Sequence, residues 1–167
     1  EEVDAVMLSG ETTVGKYPLR CIEQLVNIAE NIEIHPGLRF VNNLYTDSDK
    51  QKLSVAAVDL AKSLNARGIV VITRRGLMAD LVCNCRPVFS DIYAFTNVSQ
   101  ARRTMMIGRG IRPFRIAFSQ DPEKTLQKAF NVLKEREGFK SEEKVVVISD
   151  VLAGSGKIDA IQIRHLP

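Results

Sequence analysis

The chain has 167 residues, of which 45% are hydrophobic, so it can bury the core of one ordinary domain. Its net charge of +3 is small and its basic residues are spread along the chain, which argues against nucleic acid as the main partner. No apolar run approaches the roughly 18 residues that span a membrane, and the first residues do not resemble a signal peptide. An odd number of cysteines without a scaffold spacing indicates reduced thiols and a cytoplasmic location.

Residues 1–34 are predicted to form one strand followed by one helix. Residues 3–8 (VDAVML) have the pattern of a short strand, and residues 9–13 form a polar turn. Pro18 suits the first position of a helix whose apolar stripe continues to about Ile34. A single βα unit cannot bury its strand. We therefore expect residues 3–8 to lie outside the sheet of the following residues, with apolar side chains exposed or paired with another copy.

The following residues, 35–167, alternate between helical and strand patterns. A short loop without a helix joins the last two strands, so the last strand is predicted to run antiparallel to its predecessor. The pattern predicts an open mixed five-stranded α/β sheet, with four parallel strands, one antiparallel edge and helices on both faces, preceded by the orphan βα unit. The predicted strands are residues 68–72, 91–95, 111–118, 144–149 and 158–164.

Capping and breaking residues place the helices between these strands. Thr96 or Asn97 is expected to cap the helix after the second strand. Asp121 and Pro122 are expected to begin the best helix, which Gly138 ends. Pro113 lacks an N–H group, so the third strand is expected to start late or to contain a break.

A candidate anion-binding turn follows the first strand of this sheet. Ligands of open α/β sheets bind at the carboxyl ends of the strands, and the N–H groups of the next helix are free there. Two guanidinium groups beside those N–H groups favour a phosphate, although a solvated turn explains the same residues equally well. The candidate residues are Thr73, Arg74, Arg75 and Gly76.

A second candidate segment is Gly154, Ser155 and Gly156, in the loop between the last two strands. These residues could bring N–H or hydroxyl donors to the same edge of the sheet. A flexible hairpin loop is the simpler explanation of this composition.

Other motifs do not support a catalytic or metal site. Ser9 lies in a turn, but neither histidine is near it in sequence, which argues against a nucleophilic triad. Cys83 and Cys85 lack a second pair of ligands at zinc spacing. The basic clusters Arg102-Arg103 and 109–115 are interpreted as a solvated face or an interface.

A long segment near the start resembles pyruvate kinase. Residues 4–12 (DAVMLSGET) and 15–18 (GKYP) are similar to the last strand, turn and helix of its (β/α)8 catalytic barrel. The resemblance covers essentially the whole chain. It implies that residues 1–34 are the last βα unit of the barrel and residues 35–167 the C-terminal α/β domain, cut from a longer chain. The later segments that match are residues 68–73 (GIVVIT), 96–97 (TN), 100–102 (QAR), 109–113 (RGIRP), 144–149 (KVVVIS) and 154–156 (GSG).

The resemblance implies an enzyme that transfers the phosphoryl group of phosphoenolpyruvate to ADP with Mg²⁺ and usually K⁺. The metal ligands of the family lie on earlier barrel strands, so we expect this chain to be inactive alone, with no catalytic residue and no bound cofactor. Its implied role is regulatory and structural. It would contact its own N-terminal barrel, form homotetramer contacts and bind a sugar phosphate or another anionic effector, with neither nucleic acid nor a membrane as partner.

The candidate turn departs from the pattern of family members that fructose bisphosphate activates. Those members carry a Ser/Thr-rich turn, of which only Thr73 and Gly76 remain here, and Arg74 and Arg75 replace hydroxyl residues. We therefore expect weak, salt-sensitive phosphate binding without a strong preference for fructose bisphosphate. A stand-alone phosphometabolite-binding module without a catalytic partner is the alternative function.

Overall fold

The computed structural model describes residues 3–35, 46–149 and 159–167. The chain divides into two compact units, Glu1–Asn43 and Leu44–Pro167. The sequence analysis placed the division between residues 34 and 35. In the described residues, only the second unit contains a β-sheet.

The first unit contains two helices, α1 (Gly10–Thr13) and α2 (Pro18–Glu33). The prediction of a strand over residues 3–8 is wrong, because the described part of this unit has no strand. A strand needs a neighbour for its backbone hydrogen bonds, and residues 3–8 pair with none of the five strands in the sheet. The turn at residues 9–13 closes into α1 instead, with the carbonyl of Ser9 accepting from two N–H groups.

The helix α2 starts at Pro18, as predicted, but none of its described residues is buried. Leu19 is 74% exposed and Ile32 is 59% exposed. Val6 and Met7 are exposed as well, which agrees with the expected exposure of apolar residues in this unit.

The second unit is built on a five-stranded sheet in the order β3-β2-β1-β4-β5. The strands β1 to β4 run parallel, and β5 runs antiparallel to β4, which confirms the predicted fold class. The central strand β1 is buried along its whole length. The strands are β1 (Gly68–Ile72), β2 (Asp91–Thr96), β3 (Ile111–Arg115), β4 (Lys144–Ser149) and β5 (Ala160–His165).

Helices cover both faces of this sheet, as predicted. On one face, residues of α3 and α4 and Met105 of α5 pack against Ile69 and Val71. On the other face, α6 packs against Val70 and Ile72. These two residues alternate with Ile69 and Val71 along β1, so they point to the opposite side of the sheet. The four helices are α3 (Asp49–Ser63), α4 (Leu77–Asn84), α5 (Ser99–Met105) and α6 (Pro122–Glu137).

Two predicted helix boundaries are confirmed and one is wrong. The side chain of Asp121 accepts a hydrogen bond from the N–H group of Glu123 at 3.0 Å, and Gly138 ends α6 with φ of 67°. The N-cap of α5 is Val98, rather than Thr96 or Asn97. Thr96 is instead the last residue of β2, and its hydroxyl donates a hydrogen bond to the carbonyl of Arg74.

The strand β3 is continuous through Pro113 and ends at Arg115, earlier than predicted. Pro113 is tolerated because β3 is an edge strand. The N–H group of Ile116 donates to the carbonyl of Thr96 at 3.0 Å. Alternate residues of a parallel strand face the same neighbour, so the nitrogen of Pro113 faces the open edge, where no donor is needed.

Candidate anion-binding site

The candidate turn begins at the carboxyl end of the central strand, between the ends of β2 and β4. Ile72 is in register with Phe95 on one side and with Ser149 on the other. This register places three hydroxyl residues, Thr73, Thr96 and Ser149, at the same edge of the sheet. All three are buried.

Hydrogen bonds from two of these hydroxyl groups hold the turn. The Thr73 Oγ1 accepts from the N–H group of Gly76 at 3.3 Å, while the Thr73 N–H donates to the carbonyl of Phe95 at 2.9 Å. The Thr96 Oγ1 donates to the carbonyl of Arg74 at 2.9 Å and accepts from the N–H group of Val98 at 3.1 Å. The hydroxyl of Thr73 therefore shapes the turn from inside and is not exposed to a ligand.

Gly76 ends the turn and is the N-cap of α4, with φ of 92°. This left-handed conformation is accessible to glycine without strain. A Cβ atom at this position would also lie 3.0 Å from the Cγ of Met105 in α5. The glycine therefore allows both the turn and the close approach of α5.

Arg74 and Arg75 are the charged groups that this turn offers to a ligand. Both side chains are exposed, and neither forms a salt bridge with any residue that the structure describes. The first N–H groups of α4 have no acceptor within the helix. Two free guanidinium groups beside these N–H groups can hold an oxyanion.

Gly154, Ser155 and Gly156 lie outside the described residues. The described residues on either side of this segment are Ser149 and Asp159. Ser149 pairs with Ala160 of β5 and with Ile72 of β1, so the connection leaves from the edge that carries the candidate turn.

The contribution of Thr96 to the turn was not predicted from the sequence, where Thr96 was interpreted only as a possible helix cap. The available signal was a polar residue directly after the apolar run of a predicted strand, residues 91–95, and the same signal identified Thr73. The hydrogen bond from Thr96 to Arg74 crosses between two neighbouring strand ends, so it depends on their register.

Within the described residues, the cysteines belong to no group that could hold a metal ion. Cys83 and Cys85 are buried, and their thiols donate to the carbonyls of Arg109 and Leu81, at 3.2 Å and 3.3 Å. Burial, with a smaller contribution from the charge of Asp59, raises the pKa of the Cys85 thiol to about 11. In the part of the chain that the structure describes, no group of three or more His, Cys, Asp or Glu side chains could hold a metal ion. The same part contains no helix that is long and apolar enough to cross a membrane.

A cavity of about 360 Å³ lies beside the edge strand β3 and is lined by residues of α5, β3 and α6. Its charged lining residues are Arg102, Arg103, Arg115 and Arg136. None of these belongs to the candidate turn, and the sequence analysis treated only part of this set as a basic cluster.

Comparison with known proteins agrees with this fold. A family profile described as "Pyruvate kinase, alpha/beta domain" matches residues 51–164. The chain is 32% identical to the chloroplastic pyruvate kinase isozyme A of Ricinus communis, covering 100% of this chain and 29% of that protein. It is 31% identical to pyruvate kinase 2 of Synechocystis, covering 96% of this chain and 27% of that one. A solved structure of Cryptosporidium parvum pyruvate kinase in complex with ADP has the same fold, with a TM-score of 0.78 and 23% identity, over 97% of this chain and 34% of that chain.

The second unit is thus an α/β domain of the type found in pyruvate kinases, with its candidate ligand edge at the carboxyl ends of β1, β2 and β4. The chain belongs to the pyruvate kinase family. It spans about a third or less of the length of the relatives that it matches.

Proposed function

We propose that the chain is the C-terminal regulatory and oligomerisation part of a glycolytic pyruvate kinase, which transfers the phosphoryl group of phosphoenolpyruvate to ADP. The match of the α/β domain profile over residues 51–164 carries this proposal. Phosphoryl transfer needs cations positioned around the moving group. The described residues do not fit a metal ion, so we assign Mg²⁺ and K⁺ to other parts of the full-length enzyme.

The first unit is proposed to complete the catalytic barrel. Its helix α2 carries exposed apolar side chains such as Leu19 and Ile32, which need a partner surface. Residues 3–8 have a strand sequence but no strand neighbour. A barrel strand beside them would supply the missing backbone hydrogen bonds, and residues 3–8 would then become extended.

A chimaera tests this proposal. Residues 1–167 replace the matching segment of Synechocystis pyruvate kinase 2, and the formation of ATP from phosphoenolpyruvate and ADP is measured. We expect activity from the chimaera, and none from the 167-residue chain alone or from the Synechocystis enzyme without the segment. A folded but inactive chimaera would favour the stand-alone phosphometabolite-binding module, and turnover by the chain alone would contradict the proposal.

Oligomerisation is proposed to proceed through the second unit, giving a homotetramer in the full-length enzyme. The strand β5 supports this, because its outer edge pairs with no other strand of the described residues and its Ile163 is 48% exposed. Light scattering on the purified chain tests the proposal. A purely monomeric chain at high concentration would contradict it.

The effector is proposed to be a phosphate-bearing anion held by Arg74 and Arg75 at the start of α4. Long, exposed arginines contribute charge but little preorganised shape, so binding is expected to be weak and sensitive to salt. Each charged hydrogen bond adds about 1.5–3 kcal/mol where its geometry holds. Fructose bisphosphate is not expected to bind more tightly than other phosphates, because the hydroxyl of Thr73 is buried and forms a hydrogen bond within the turn.

Calorimetry with fructose bisphosphate and inorganic phosphate tests this effector site. The double variant Arg74→Ala/Arg75→Ala is expected to lose the binding at the turn. Tight binding of fructose bisphosphate at the start of α4 that persists in this variant would contradict both the residues and the ligand class.

The cytoplasm is the proposed compartment, and the three free cysteines support a reducing environment. Five similar relatives are named chloroplastic. Microscopy of the tagged full-length protein distinguishes the cytosol from a plastid.

A further inference from the structure

The arginine-lined cavity beside β3 is built by three separate elements. Arg102 and Arg103 come from α5, and Arg115 comes from the end of β3. Arg136 comes from the last turn of α6, which lies on the opposite face of the sheet. The cavity therefore lies at the open edge of the sheet, with guanidinium groups from both layers of helices.

The positive charge of this cavity is not balanced by the described residues. None of the four arginines forms a salt bridge with any part of the chain that the structure describes. The described residues that line the cavity include no Asp or Glu. Like charges gathered in one cleft repel each other, so an anion in the cleft would be bound favourably.

Arg112, on the same strand, shows the opposite arrangement. Its guanidinium group pairs with Asp91 at 3.2 Å and with Glu137 at 2.7 Å. Partial desolvation acts against its charged form, but these two carboxylates outweigh it and raise the pKa of Arg112. The fold thus neutralises one arginine of β3 with two carboxylates, while the cavity arginines have no such partner among the described residues.

The rest of the cavity lining suits the carbon skeleton of a small molecule. Pro113, Phe114 and Val132 are half-buried and line the cavity. Phe114 is held in place because its ring stacks on that of Phe95, with centroids 5.3 Å apart. A volume of about 360 Å³ is within the range of small-molecule sites.

We propose that this cavity binds a small metabolite that carries two or more phosphate groups. Guanidinium groups bind phosphate oxygens in bidentate pairs, and groups on two sides of the cleft can hold two phosphates at once. The skeleton of the metabolite lies against Phe114 and Val132. This site is separate from the turn at Thr73–Gly76 and does not depend on the proposed enzyme.

Another explanation for the same residues is protection of an open strand edge. Charged side chains and proline on an edge strand hinder pairing with another chain. Protection alone requires neither a cavity nor arginines on α5 and α6, and it predicts no saturable binding. A third explanation is that the cavity binds an acidic protein segment. The experiment below distinguishes this from binding of a phosphate-bearing metabolite.

The test measures binding of inorganic pyrophosphate to the whole chain by calorimetry at low and at physiological salt. The variant Arg103→Ala/Arg136→Ala removes one guanidinium group from each side of the cleft. The control, Arg20→Ala/Lys124→Ala, removes the same charge from exposed positions outside the cavity and the candidate turn. We expect the cavity variant to weaken binding roughly tenfold or more and the control variant to change it much less. The variant Arg103→Lys/Arg136→Lys keeps the charge and should bind with intermediate affinity.

Amide chemical shifts locate the bound pyrophosphate independently of the variants. We expect the shifts at Ser99 and Val132, which line the cavity, to saturate at a lower pyrophosphate concentration than those at Leu77 and Met78 of α4. Absence of saturable binding, equal loss in both alanine variants, or binding of a polyglutamate peptide but not of pyrophosphate would overturn the proposal. Circular dichroism confirms that each variant is folded.

Discussion

Thr96 shows how one buried hydroxyl group shapes the candidate turn. It donates to the carbonyl of Arg74 and accepts from the N–H group of Val98, so it joins the ends of β1 and β2. Residues of this type are easily assigned to helix caps, because the local pattern does not reveal which strand end lies alongside. The register of β1 with β2 decides the partner.

Replacing Thr96 by valine should destabilise the fold. The change removes two partly buried hydrogen bonds, to the Arg74 carbonyl and from the Val98 N–H, at a cost of about 1–3 kcal/mol in the free energy of unfolding for the two together. Thr96→Ser keeps the hydroxyl and is the matched control, with a smaller loss. Urea denaturation measures both, and equal losses would show that the methyl group matters rather than the hydroxyl.

Cys85 should remain an unreactive thiol in the folded chain. Burial raises its pKa to about 11, so at pH 8 only a small fraction of it is thiolate. Reaction with a disulfide reagent at pH 8 should therefore be fast at the less buried Cys21 and slow at Cys85 until the chain unfolds. Cys21→Ser should remove the fast phase. A fast phase that survives in this variant would mean that the buried thiols are accessible.

At the scale of elements, two glycines with positive φ lie in turns directly before a helix or a strand. Gly76 has φ of 92° and would place a Cβ atom against Met105, whereas Gly110 has φ of 72° and open space around it. Substitution of Gly110 would therefore cause backbone strain alone, whereas substitution of Gly76 would cause strain and a close contact with Met105.

Gly76→Ala should destabilise the fold more than Gly110→Ala does. Backbone strain costs on the order of 1–3 kcal/mol at each position, and only the first variant also pushes against Met105. Chemical denaturation of both variants measures the difference. Equal losses would show that α5 moves aside without cost.

Strand ends were harder to predict than strands. The apolar runs identified β1 and β4 with their boundaries, because both are buried along almost their whole length. The third strand was predicted to continue to residue 118, but it ends at Arg115. Its edge position also explains why Pro113 does not interrupt it, and an edge position is not visible in a local pattern.

At the scale of the whole molecule, burial differs sharply between two helices of equal length. The helices α2 and α6 each have 16 residues. None of the described residues of α2 is buried, whereas five residues of α6 are buried, including Leu126, Phe130 and Leu133. Helices of this length are marginal in water unless they pack an apolar face.

Hydrogen exchange should separate these two helices. In the 167-residue chain, amides of α2 should exchange early, because no buried contact opposes their local opening, and amides of α6 and β1 should exchange last. Mass spectrometry of exchanged peptides measures both. Equal protection of α2 and α6 would show that α2 is covered in solution, for example by another copy of the chain.

Local sequence patterns were sufficient for much of the second unit. They determined the five strands, the antiparallel direction of the last strand and the approximate start and end of α6, because these depend on apolar runs, loop length and helix-breaking residues. They also identified the turn at Thr73–Gly76, because a strand, a glycine and a helix follow each other directly. Residues 4–12 and 15–18, together with the later matching segments, carried the resemblance to pyruvate kinase.

Only the tertiary structure decided the rest, because it depends on which elements become neighbours. Residues 3–8 have a strand sequence, yet they form no strand without a partner. Arg103 and Arg136 are distant in sequence, and they meet at one cavity because β3 is the edge strand and α5 and α6 lie on opposite faces beside it. Strand order results from packing the whole sheet, so the local pattern around either arginine contains no trace of this cavity.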